Sequence, residues 1–116
     1  HFPWELCKAG CVATECCSVK VYPKTIVQRQ VPPSISFFLS HPMFGPNSAG
    51  TQASDRWTGL RLVYDSLSVA NDDPNYAWIL NWFANRGCVL IEMPAETHDK
   101  QAAQTQFLTH FLARSL

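Results

Sequence analysis

His41 stands in the hexapeptide His41-Pro42-Met43-Phe44-Gly45-Pro46, directly after the apolar run Ile35-Ser36-Phe37-Phe38-Leu39. Two prolines stiffen the backbone around it and one glycine frees it, which places an imidazole at the mouth of a buried strand. Imidazole titrates near neutral pH, so the position suits proton transfer. An isolated strand-end histidine more often just caps backbone groups, and two further stretches shift that balance. Ser18-Val19-Lys20 closes an earlier apolar segment. Its hydroxyl could orient an imidazole and fix the tautomer, although a serine after a strand is also an ordinary turn residue. Lys20 reads as solvated surface. His98-Asp99 and the run Gln104-Thr105-Gln106-Phe107-Leu108-Thr109-His110 put two more histidines on one C-terminal segment. Twelve residues of helix leave His98 and His110 roughly 120° apart around the axis, so they do not form a metal-ligand pair.

The elements that must carry these residues follow from apolar runs and the breakers between them. Cys11 to Cys17 is a short strand; a helix runs from Tyr22 to about Val31, with Pro23 tolerated in its first turn. Pro32-Pro33-Ser34 ends that helix, and Ile35 to Leu39 is the second strand. Asn47 to Trp57 is a polar loop and the segment expected to move most. Leu60 to Tyr64 is a third strand, and Asn71-Asp72-Asp73-Pro74 signals a helix start. Tyr76, Ile79, Leu80 and Phe83 then recur at helical spacing, so one face packs inward until Arg86-Gly87 stops the helix. Cys88 to Met93 is a fourth strand, and a last helix begins at Ala95 and carries Ala102, Ala103, Phe107, Leu108, Phe111 and Leu112. Strand, helix, strand, strand, helix, strand, helix is an α/β layout.

The 116 residues are one domain, with zero formal net charge and 16% charged residues. No basic stripe invites nucleic acid. No apolar run reaches the roughly 18 residues of a membrane span, and no signal-peptide pattern opens the chain. The sequence starts on His1-Phe2-Pro3-Trp4 without methionine, which suggests a fragment or a processed product. The cysteines are Cys7, Cys11, Cys16, Cys17 and Cys88. An odd count with an adjacent pair is a poor disulfide framework, and no Cys-x-x-Cys pairing offers a metal site. They are expected to pack as small apolar residues in a protein of an intracellular, reducing compartment.

In their order, Ser18-Val19-Lys20, His41 to Pro46, Leu62-Val63-Tyr64-Asp65, Arg86-Gly87-Cys88, Ile91-Glu92-Met93, His98-Asp99 and Gln106 to His110 resemble the prephenate/arogenate dehydrogenase family of tyrosine biosynthesis. The plant-type arogenate dehydrogenases are the nearest pattern, and the resemblance runs from about Gly10 to Leu116. It implies the second half of a Rossmann-like nucleotide-binding domain: a partial sheet of about four strands with helices packed on it. The phosphate-binding half and the helical dimerisation domain are absent from this sequence. None of its glycines forms a G-x-G-x-x-G phosphate loop.

The resemblance also implies a chemistry, the NAD- or NADP-dependent oxidative decarboxylation of arogenate or prephenate. His41 matches the family's base and Ser18 the serine beside the nicotinamide that hydrogen-bonds it. Ser18, Pro42 and Met43 would border the cofactor, while His98, Gln106 and His110 would line the substrate pocket. Three positions depart from the plant pattern: Asn47 replaces a glutamate, Glu15 sits in a Thr-Glu-Cys-Cys context, and Gln104-Thr105 replaces a small Gly-Ser pair. The isolated chain is therefore expected to bind no cofactor alone and to be inactive, as a fragment or truncated relative of such an enzyme. A homo-oligomer or an association with another protein is expected, because half a sheet leaves edges uncovered. The alternative is a non-catalytic module that binds a protein partner or an aromatic-precursor ligand. Plastid and cytoplasm remain equally open.

Overall fold

A computed structural model describes residues 2–44, 57–67, 69 and 72–104. After a single 3-10 turn at Trp4–Leu6 come β1 (Val12–Glu15), α1 (Val21–Gln30), β2 (Ser36–Pro42), β3 (Arg61–Asp65), α2 (Pro74–Asn85) and β4 (Val89–Glu92). A third helix, α3, covers residues 95–104. The α/β order read from the sequence is the order found.

The four strands form one sheet in chain order, β1-β2-β3-β4. The pairs β1–β2 and β3–β4 are parallel and are bridged by α1 and α2, as a parallel pair requires a crossover. The central pair β2–β3 is antiparallel. Strand β2 runs three residues further than its apolar core predicts, because His41 and Pro42 pair with Val63 and Leu62. Pro42 has no N–H to donate and sits at the strand end, where that costs least. His41 therefore belongs to the strand itself, not to the loop beyond it.

This register decides which side chains share a face. His41 lies opposite Val63, and Val63 opposite Ile91. Alternation then puts Phe37, Leu39, His41, Val63 and Ile91 on one side of the sheet. On that side Phe37 and Leu39 bury with Val27 of α1 and Ala95 of α3, with Trp4, Ala13, Val31 and Leu67 packed around them. Phe38 and Leu62 face the other way, where the Tyr76 ring of α2 meets Phe38 edge-on at 5.3 Å.

Helix α2 starts where its Asp-Pro signal predicts: the Asp73 carboxylate accepts from the N–H groups of Asn75 and Tyr76, with Pro74 in the first turn. Its inward face is as the periodicity indicates, with Tyr76 buried and Ile79, Leu80 and Phe83 half-buried. Gly87 follows at φ +91°, and a Cβ there would lie 2.6 Å from Thr58 Oγ1, so only glycine fits this stop. Trp57 stacks on Phe83 at 6.0 Å, and the Arg86 guanidinium sits 3.6 Å from the Trp82 ring centre.

The cysteines divide. Cys88 is buried as expected, but Cys16 and Cys17 are exposed because β1 ends at Glu15 and leaves the pair beyond the ladder. All five are free thiols, and among the described residues no three His, Cys, Asp or Glu side chains gather as a metal site. Among the same residues no helix is long and apolar enough to cross a membrane. The polar loop expected over 47–57 lies outside the described residues except for Trp57.

Candidate active site

Three side chains form a line from α3 to β2. The Asp99 carboxylate stands 2.7 Å from His98 Nδ1, and His98 Nε2 stands 2.7 Å from His41 Nδ1. A carboxylate only accepts, so His98 must hold its proton on Nδ1 when neutral, which leaves Nε2 as a lone pair. His41 then donates from Nδ1, and its own lone pair is left on Nε2. Asp99 thus sets both tautomers through two hydrogen bonds. His41 is half-buried and His98 buried.

The electrostatics favour a neutral His41 imidazole. Burial pushes the His41 pKa below its ordinary value, and the neighbouring His98 and Lys20 push in the same direction. Burial alone would raise the Asp99 carboxyl. Hydrogen bonds from the Val21 N–H, from His98 and from the Lys20 N–H together hold it below the usual range. Those two backbone bonds, 2.7 Å from Lys20 N and 2.9 Å from Val21 N, also fasten Asp99 to the first turn of α1.

Lys20 corrects the sequence reading. Its side chain is 2% exposed, not solvated. The ammonium donates to Glu15 Oε1 at 2.6 Å and to the Ser40 carbonyl. Glu15 also accepts from Cys17 N at 2.7 Å, and the Ser40 hydroxyl donates to the Glu15 carbonyl at 2.8 Å. The ends of β1 and β2 and the start of α1 are thereby tied together directly beside His41. Glu15, five residues before Lys20, was the available signal for this pair.

A cavity of about 350 Å³ opens over the same face of the sheet. His41, Met43, Val63 and Ile91 contribute to its floor, His98 comes from α3, and Ser18 and Arg61 also line it. The sequence-predicted residues Ser18, His41, Met43 and His98 are therefore brought together. Ser18 is exposed at the cavity rim, and His98 holds Nδ1 of His41. Pro42 is in the strand and does not line the cavity. Gln106, His110, Asn47 and Thr105 lie outside the described residues. Arg61 is the lining residue that the sequence reading missed, since one arginine at a strand start looks like surface charge.

Whether these residues fit a dinucleotide can be judged at the helix N-termini, the usual seats of a pyrophosphate. Asp99 occupies that of α1, Asp73 that of α2, and the Asp65 carboxylate accepts from Ala95 N at 3.0 Å at the start of α3. A carboxylate already in place repels a phosphate. The described residues do not fit the cofactor's diphosphate, and only the cavity beside Ser18, His41 and Met43 could border its nicotinamide end.

An α/β sheet with paired crossovers, holding a histidine pair over an open cavity, defines the class: a partial Rossmann-like α/β fold. A Corynebacterium glutamicum structure assigned as a prephenate dehydrogenase has this fold. It superposes with a TM-score of 0.63 at 23% identity, covering 88% of this chain and 34% of that one. No family model matches the chain. Arogenate dehydrogenase 2, chloroplastic, of Arabidopsis thaliana is 34% identical in an alignment 118 positions long that covers 99% of this chain and 32% of that protein. Arogenate dehydrogenase 1, chloroplastic, of the same plant is 33% identical over 98% of this chain and 18% of its own length. The chain is similar to these arogenate dehydrogenases over nearly all of its own length, and it spans about a third or less of theirs.

Proposed function

We propose that this chain carries the proton-accepting site of an NAD- or NADP-dependent arogenate/prephenate dehydrogenase. That reaction takes a hydride from the ring carbon bearing the 4-hydroxyl, a proton from that hydroxyl and carbon dioxide from the opposite carbon, leaving an aromatic ring. Of these, the proton falls to the described residues. His41 Nε2 accepts it as carbonyl character develops at the departing hydride's carbon. The positive charge that results is delocalised in an imidazolium whose Nδ1–H points at His98, with the Asp99 anion behind it.

The single observation that carries this reading is the Asp99–His98–His41 line, because it leaves a lone pair on the one nitrogen that can turn toward the cavity. Ser18 and Met43 border the site as positioning groups, and His110 and Gln106 are assigned to the substrate wall by the resemblance alone. The closed helix N-termini imply that the hydride acceptor is held by another part of the parent enzyme, so the 116-residue chain by itself is inactive. The domain is read as the C-terminal half of the nucleotide-binding unit. Five free thiols suit a reducing intracellular compartment, a plastid being the one that the plant relatives' names suggest.

The test joins this chain to the phosphate-binding half and helical domain of a relative and follows absorbance at 340 nm. His41→Asn keeps a hydrogen-bonding side chain and removes the base, so kcat falls about a hundredfold or more while KM changes little. Unchanged kcat in His41→Asn would return His41 to a strand-end structural role.

A further inference from the structure

We propose that Arg61 anchors the carboxylate of the substrate's side chain, the acid group that the reaction leaves in place. This rests on the proton-accepting reading of the same cavity and adds what sets its ligand class. Among the described residues lining the cavity, Arg61 is the sole permanent cation, and none is aspartate or glutamate. Arg61 makes no ion pair with the described residues, whereas the nearby Lys20 is committed to Glu15. Among the described residues the guanidinium thus stands beside two imidazoles with no carboxylate lining the cavity, a setting that favours an organic anion.

Register gives the spacing. His41 pairs with Val63, so Arg61 stands two residues further along β3, and its carbonyl accepts from Met43 N at 2.8 Å. Two residues of strand are about 6.8 Å, and alternation keeps Arg61 on the His41 face. Ordinary bond lengths put the 4-oxygen of a cyclohexadienyl acid roughly 9 Å from the terminal carboxylate of its three-carbon side chain. The strand offset plus the length of an arginine side chain spans that distance. Holding the ring carboxylate instead would stabilise the charge that must leave as neutral carbon dioxide, so an anchor serves the reaction better on the side chain.

The 116-residue chain is titrated by NMR with 4-hydroxyphenylpyruvate, and with 4-hydroxyphenylacetone, in which a methyl replaces the carboxylate. Wild type should bind the acid about tenfold more tightly than the ketone, the scale of one charge-assisted contact at a partly open site. Arg61→Gln should erase that preference, and Arg61→Lys should restore part of it. Equal binding of the acid by wild type and Arg61→Gln overturns the anchor. In that case ligand-induced shifts of the His41 ring would still support the proton-accepting site. If wild type binds neither compound, both readings fall.

Discussion

Replacing Asp99 by alanine removes three hydrogen bonds at once. The carboxylate accepts from Lys20 N at 2.7 Å, Val21 N at 2.9 Å and His98 Nδ1 at 2.7 Å. Losing a helix-capping side chain costs about 1 kcal/mol, and losing a charge-assisted bond to a buried histidine adds a similar or larger amount. We expect Asp99→Ala to be destabilised by about 2–3 kcal/mol, which for a domain of this size lowers the melting temperature by roughly 10 °C. Asp99→Asn keeps an acceptor for the backbone and loses the charge, so its deficit should be about half as large. Thermal unfolding followed by circular dichroism measures both. The pH dependence is a stricter check. Hydrogen bonding holds the folded carboxyl below its unfolded value, so its stabilisation is present above about pH 4 and is lost as pH falls through the folded pKa. The gap between wild type and Asp99→Ala should stay constant from about pH 7 to 5 and close below about pH 4. A variant that melts within about 2 °C of wild type at neutral pH would refute the claim that this carboxylate holds α1 and His98 in place.

Three further outcomes follow from the same geometry. The His41 ring should titrate below its ordinary pKa of 6.5, and His98→Ala should bring it back up by removing both cover and a like charge; NMR titration reads both, and a value unchanged in His98→Ala would count against the coupling. Lys20→Met should cost about 3 kcal/mol in urea unfolding because it strands the Glu15 carboxylate, and adding Glu15→Gln should recover part of that loss. A double variant no more stable than Lys20→Met would show that the ion pair is not the cause. The outer edge of β1 has no partner strand among the described residues, so the chain should self-associate at micromolar concentration, and a clean monomer by light scattering would contradict that.

Much of the scaffold was legible because its signals are local. Apolar runs marked β2, β3 and β4, and Asp73-Pro74 marked the start of α2, since strand burial and helix capping depend on neighbouring residues. The site was legible only in part. His41 and His98 could be named, but their 2.7 Å contact joins residues 57 positions apart, and no spacing rule reports that. Lys20 was misjudged for the same reason: its burial depends on the Ser40 carbonyl, which β-sheet pairing delivers from another segment. The strand limits at His41 and Pro42 were missed because they follow from pairing with β3 and not from the apolar content of β2. Arg61 gained its meaning only from the face it shares with His41.

The aspartate that closes α1 comes from 78 to 79 residues further along the chain, and the one that closes α3 comes from 30 residues before it. Helices so capped draw the acceptors for their first turns from distant sequence, and starting a helix is already its unfavourable step. We therefore expect helix α1 to be completed late in folding, when the segment that carries Asp99 docks on it. A ribosome-bound chain ending before α3 would hold α1 frayed. The histidine line, built on the same aspartate, would be assembled in the step that completes the fold.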